Sequence, residues 1–172
     1  MRAAPALGTE DFVEVHDRCF AAVYRYVASR LGIQAAEDVT AETFLVAFDR
    51  REAFDATRGE VRSWLFGIAT NLISRHRRQE ARHLRAVQRL EARPVEGHES
   101  RVVSSLPSPR LAKALARLTR GERDVLLLVA LAELDYVEVA EALGVPTGTV
   151  GSRLSRARKK LAPILAQEAL DG

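Results

Sequence analysis

Along nearly the whole 172-residue chain, apolar residues recur every three or four positions, and nowhere do they alternate as a half-buried strand requires. Phe12, Val15, Cys19, Phe20, Val23, Val27 and Leu31 form one such stripe and predict a first helix, stopped by Gly32. A second helix is expected from about Ala35, carrying Val39, Phe44, Leu45 and Phe48 ahead of a polar stretch from Asp49 to Gly59. Val61, Trp64, Leu65, Ile68, Ala69, Leu72 and Ile73 make the most regular stripe, which runs on into an arginine-rich segment. Pro94, Gly97, Pro107 and Pro109, mixed with Ser and Glu, then break the pattern and predict a flexible connection of about 16 residues.

Helical order resumes with Leu111–Leu118. Thr119-Arg-Gly-Glu122 reads as a capping box, in which the Thr hydroxyl and the Glu carboxylate satisfy free amides at a helix start. The apolar run that follows, Val125–Ala132, is far short of the roughly 20 residues a membrane-spanning helix needs. Met1–Thr9 has no apolar stretch of the kind a signal peptide carries. The expected fold is therefore all-α: two small helical domains, residues 10–90 and 110–170, joined by a linker over 91–109 in a soluble, cytoplasmic chain. Cys19, the single cysteine, lies on the apolar stripe and is expected to be a buried small hydrophobe; the four histidines are scattered, so neither a metal nor a cofactor is expected. Asp38 and Glu42 lie one helical turn apart, but without a nucleophile or metal beside them they fit protein docking better than acid–base chemistry.

The net charge of +3 conceals an uneven distribution. Arg75–Arg93 holds seven Arg and two Glu, and Thr149–Lys160 holds five basic residues and no acid, so each segment carries +5. The rest of the chain carries −7, most of it in Glu10–Glu60, where 11 acids face 6 Arg. Two basic clusters on an otherwise acidic chain point to two polyanion contacts and a separate protein-facing surface.

The strongest local signal is Tyr136–Leu154. Counting from Tyr136, a small residue (Ala140) stands fifth, a glycine (Gly144) ninth and a branched apolar residue (Val150) fifteenth. Ala140 lets a second helix cross closely, Gly144 supplies a left-handed turn, and Val150 packs the second helix on the first. Pro146 suits a helix start. This is a helix-turn-helix whose second helix presents Ser152, Ser155, Arg156 and the basic run Arg158–Lys160. Such a helix enters the major groove, where Arg reads guanine and Ser adapts to either strand.

The first half has its own signature. Residues 36–48, AEDVTAETFLVAF, are acidic with projecting aliphatics, which suits docking to a protein. Residues 61–78, VRSWLFGIATNLISRHRR, put aromatics, an Asn and several Arg on one helix. Aromatic faces stack unpaired bases, Asn bonds their edges and Arg holds the backbone, so this helix is equipped for single-stranded nucleic acid.

These two blocks, followed in order by LDYVEVAEALGVPTGTVGSRLSRARKKL, make the chain resemble the extracytoplasmic-function (ECF) sigma factors of the sigma-70 family, from about Phe12 to Leu165. The resemblance implies a sigma domain two followed by a sigma domain four, with core RNA polymerase and promoter DNA as partners. It matches Asp38, Glu42, Phe44 and Leu45 to a polymerase-binding stretch, and Phe54 and Asn71 to positions that capture an unpaired base of the −10 element. Arg62, Arg75 and Arg78 would hold nearby phosphates. Thr149, Ser152, Ser155 and Arg156 would face the −35 duplex, with Arg153 and Arg158 nearer phosphates or protein. The resemblance also implies an anti-sigma partner, no catalytic site and no obligate homodimer. Two positions depart from the pattern: Ala41 stands where many relatives carry Gln, and Gly151 where many carry Arg or Lys. A stand-alone helix-turn-helix regulator would instead need a homodimer and a palindromic operator, and a nucleic-acid enzyme would need a catalytic constellation. A 16-residue linker spans at most about 50 Å, comparable to one and a half turns of duplex, so it can join two recognition modules.

Overall fold

A computed structural model describes residues 7–91 and 109–171, all of whose regular structure is helical. The connection expected at Pro94–Pro109 falls almost wholly outside the described residues. The first domain comprises α1 (Thr9–Leu31), α2 (Ile33–Asp49), a single 3-10 turn at Arg51–Ala53, and the long α3 (Val61–Glu91). The second comprises α4 (Pro109–Ala116), α5 (Arg120–Ala130), α6 (Tyr136–Leu143) and α7 (Thr147–Asp171).

Gly32 ends α1 at φ 83°, a conformation open to glycine at little cost, and its N–H caps the Ala28 carbonyl at 2.8 Å. The same residue opens α2, which therefore starts at Ile33, two residues before the sequence pattern places it. Val15, Cys19, Val23 and Val27 are buried as expected, but Phe20 is 41% exposed. Tyr26, absent from the predicted stripe, takes the interior place, fully buried with its hydroxyl 2.9 Å from the Thr70 hydroxyl. The buried face of α1 turns this way because two partners, α3 and the second domain, meet at its C-terminal end. Burial raises the Tyr26 phenol well above its ordinary range, so it stays a neutral hydrogen-bonding group. Phe66, also outside the predicted stripe, is fully buried edge-on to Tyr26, with ring centroids 5.6 Å apart. A helix buried on two sides needs apolar residues around more of its circumference than one stripe supplies.

In the second domain the Thr119–Glu122 capping box forms as predicted: the Thr119 N–H donates to Glu122 at 2.9 Å and the Glu122 N–H to the Thr119 hydroxyl at 3.4 Å. Arg123 is buried and spends its guanidinium on the carbonyls of Leu115, Ala116 and Leu118, satisfying acceptors that the end of α4 leaves open. The buried apolar residues of both domains form one contiguous cluster, because α6 packs directly on α3.

Candidate nucleic-acid interface

Asp135 caps α6, accepting from the N–H groups of Val137 and Glu138 at 2.8 Å each, and Glu138 returns the bond to the Asp135 N–H at 2.8 Å. Gly144 ends α6 in the left-handed region (φ 62°, ψ 39°), and the chain re-enters helix at Thr147 after Pro146. The turn is thus built as its sequence predicts. Val150, Leu154, Ala157 and Leu161 are buried, none more than 5% exposed, at three- and four-residue intervals along α7. That register leaves Ser152, Ser155, Arg156, Arg158, Lys159 and Lys160 on the exposed side, with Thr149 and Arg153 half-buried at its edge.

The basic face is not free of acid, as its own sequence implies. Glu122 of α5, 3% exposed, sits 2.7 Å from Lys160 and 3.5 Å from the Arg156 guanidinium. The hydrogen bond from Lys160, then that from the Thr119 N–H, holds its carboxyl below the ordinary range. One side chain therefore caps α5 and orients two cations of α7. The capping signal was legible; the bond to Lys160, 38 positions away, was not.

In the first domain, the Phe54 ring lies against Trp64 at 5.2 Å between centroids, both half-buried, next to the N-terminus of α3. Directly after Phe54, Asp55 folds an Asx turn, accepting from the Thr57 N–H at 2.9 Å and its hydroxyl at 2.6 Å, which lowers the Asp55 carboxyl from its ordinary range. Asn71 and Arg78 are exposed on α3. Arg75 pairs with Glu42 at 3.2 Å, so a residue matched to phosphate binding holds one matched to polymerase binding. Arg62 is turned toward the second domain, where it donates to the Ala132 carbonyl.

On α2, Leu45 is 61% exposed and Asp38 is exposed, whereas Phe44 is buried at 6%. The Phe44 ring meets His16 at 4.7 Å and Phe20 at 5.9 Å between centroids, so it supports the aromatic surface from beneath. Cys19 is buried, and desolvation raises its thiol pKa. Among the described residues no group of His, Cys, Asp and Glu is disposed to hold a metal, and no helix is long and apolar enough to cross a membrane.

Residues 12–83 match the family described as Sigma-70 region 2, and residues 108–161 match Sigma-70, region 4. The chain is 36% identical over 145 residues to the ECF RNA polymerase sigma factor SigC of Mycobacterium tuberculosis, covering 81% of this chain and 75% of that one. It is 30% identical over 166 residues to the ECF RNA polymerase sigma factor SigW of Bacillus subtilis, covering 88% and 85%. Among solved structures, the sigma factor RpoE of Bartonella quintana, in complex with the anti-sigma factor NepR, overlays with a TM-score of 0.74 at 26% identity, covering 92% of this chain and 98% of that one. CnrH in complex with the cytosolic domain of CnrY overlays with a TM-score of 0.67 at 27% identity, covering 93% and 90%. With both regions matched in order, and relatives of at least 30% identity along most of each chain, the two helical domains belong to one known design: the chain is a member of the ECF sigma factors of the sigma-70 family, which direct RNA polymerase to promoters and initiate transcription.

Proposed function

We propose that the exposed side of α7 reads the −35 duplex, Ser152, Ser155 and Arg156 meeting base edges while Thr149, Arg153 and Arg158 meet phosphates. Phe54 and Asn71 take an unpaired −10 base, the first by stacking and the second by hydrogen bonds to its edge, with Arg62, Arg75 and Arg78 on the backbone. Asp38, Glu42 and Leu45 dock on core polymerase, with Phe44 backing them. The observation that carries this reading is the division of α7 into a buried apolar side and an exposed side of hydroxyls and arginines. A groove-reading helix needs that division, because base edges are matched by donors and acceptors held rigidly by packing behind them.

The domains so used are residues 10–90 and 110–170, with 91–109 as the tether. Neither carries a catalytic site in this reading; the phosphodiester chemistry belongs to the polymerase, in the cytoplasm. An anti-sigma factor is the expected regulator, supported by the RpoE and CnrH structures, in which the overlaid sigma factors are complexed with NepR and CnrY.

Reconstitution with core polymerase on promoter DNA tests the assignment. Arg156→Ala is expected to weaken closed-complex formation about tenfold or more, as loss of a bidentate base contact does. Asn71→Ala is expected to leave duplex affinity unchanged and to reduce strand opening, read by permanganate reactivity of unpaired thymines. The reverse pattern, or no promoter-dependent transcript, overturns it.

A further inference from the structure

One turn of a neighbouring helix holds three of the cations of α7. Arg153, Arg156 and Lys160 follow one another at three- and four-residue spacing and so share one side of α7. The residues that meet them are adjacent in sequence, Gly121 and Glu122 in the first turn of α5. The two oxygens of Glu122 are divided between tasks. Oε1 lies 3.5 Å from Nε of Arg156, while Oε2 takes Lys160 at 2.7 Å and the Thr119 N–H at 2.9 Å. The Glu122 side chain is 4% exposed and that of Arg156 58%, so a fixed anion is anchored beneath a cation that reaches into solvent. The Arg153 guanidinium lies over the Gly121 backbone, where an added Cβ would come 3.0 Å from its central carbon.

The local chemistry of α5 requires neither residue. A capping box closes as well with Gln as with Glu, so the negative charge of Glu122 is more than the cap needs. Alanine is a better helix former than glycine at position 121. What the charge and the missing Cβ share is that both serve cations of α7. We propose that the first turn of α5 is a positioning element for −35 recognition, in which Glu122 fixes the Arg156 guanidinium for a base edge and Gly121 seats Arg153 for a phosphate. The inference rests on the −35 reading of α7 proposed above and adds to it two residues that act through others. Because Arg156 approaches Glu122 through Nε, both its terminal nitrogens remain for a bidentate base contact. An arginine held by a buried carboxylate has lost rotamer freedom before it binds, which leaves more of the contact for discrimination between bases.

The two halves carry different signatures, since a loosened base contact relaxes selectivity and a loosened phosphate contact weakens binding to all sequences alike. The test is holoenzyme binding to a promoter fragment and to the same fragment with its −35 element scrambled, the ratio of the two affinities being the selectivity. Glu122→Gln keeps the capping bonds and is expected to lower selectivity about threefold. Binding to the scrambled fragment holds or rises, because a carboxylate has left the cations. In an Arg156→Ala background the same substitution is expected to leave selectivity unchanged. Gly121→Ala favours helix α5, so it answers even where Glu122→Gln fails to fold. It is expected to weaken binding to both fragments about twofold to threefold, to flatten their salt dependence, and to do neither in an Arg153→Ala background. For Glu122→Gln, an equal loss on both fragments, an unchanged selectivity, or an equal further drop beside Arg156→Ala overturns the positioning of Arg156. Gly121→Ala with both affinities unchanged, or with the same loss beside Arg153→Ala, overturns the seating of Arg153. Failure of the underlying reading shows separately: an Arg156→Ala holoenzyme that keeps full selectivity overturns the −35 assignment, whereas selectivity lost there and kept in Glu122→Gln overturns the positioning alone.

Discussion

Gly151 and Gly144 offer a clean separation of backbone from packing effects. A Cβ added at either position has nothing within 4 Å, so neither substitution gains or loses contacts. They differ in backbone: Gly151 lies within the helix α7, while Gly144 holds φ 62° at the turn. Gly151→Ala removes the conformational freedom glycine loses on folding and is expected to stabilise by about 0.5–1 kcal/mol. Gly144→Ala forces a side chain into the left-handed region and is expected to cost about 1–2 kcal/mol. For a chain of this length each kcal/mol moves Tm by about 2–4 °C, so the two melts, followed by far-UV circular dichroism, should shift in opposite directions. Gly151→Arg then asks about DNA. One further phosphate contact steepens the dependence of log affinity on log salt by about 0.9, an additional loss of about 3.5-fold for each fourfold rise in salt. Holoenzyme binding to a promoter fragment across a salt series measures it, with the Gly151→Ala holoenzyme as reference. A salt slope equal to that reference would refute the expectation that a cation at position 151 reaches the duplex, and a Gly151→Ala protein that melts lower would refute the backbone argument.

Three further outcomes follow from the same packing. Leu45→Asp, at a site 61% exposed, is expected to change stability by less than about 0.5 kcal/mol yet to weaken core polymerase binding about tenfold, measured by competition between labelled and unlabelled chain. Leu154→Ala empties a site 1% exposed behind the exposed side of α7 and is expected to cost about 2–5 kcal/mol in denaturant unfolding. Glu122, whose carboxyl is held below its ordinary 4.5 by Lys160 and the Thr119 N–H, contributes stability that is complete above about pH 4.5 and is lost as pH falls through the depressed value. Glu122→Gln should therefore lower Tm at neutral pH and flatten the acid loss below pH 4.5, read from melts across pH.

The parts of the fold legible in the sequence are those set by neighbours along the chain. The Thr119–Glu122 box, the Gly32 stop and the Gly144 turn each depend on residues within four positions, and each forms. The parts that were not legible depend on which surfaces meet. Phe20 and Tyr26 are equally compatible with an apolar stripe on α1; packing by α3 and α5 at one end decides that Tyr26 is interior and Phe20 is not. Arg30 and Asp124 look like surface charges because nothing in a local window marks a pair 94 positions apart as buried. The same holds for Phe66, whose burial requires α3 to be covered on both sides.

This difference alters what the charge distribution means. Counted along the sequence, Arg75–Arg93 is a +5 segment facing solvent. In the fold, Arg75 is engaged by Glu42 and Arg77 by the Arg30 carbonyl, and just upstream Arg62 is engaged by the second domain. On α7, Arg156 and Lys160 share Glu122. A long cation held by a neighbour has already lost much of the side-chain entropy that a DNA contact would otherwise cost, and Glu122, being buried, can hold its partners without competing for the groove. In the proposed reading, the carboxylates thus reduce bulk attraction to any polyanion while orienting the few cations that would meet a chosen one. In a cell with a great excess of non-promoter DNA, that exchange of affinity for placement is expected to raise the ratio of specific to non-specific binding, which is the quantity promoter selection depends on.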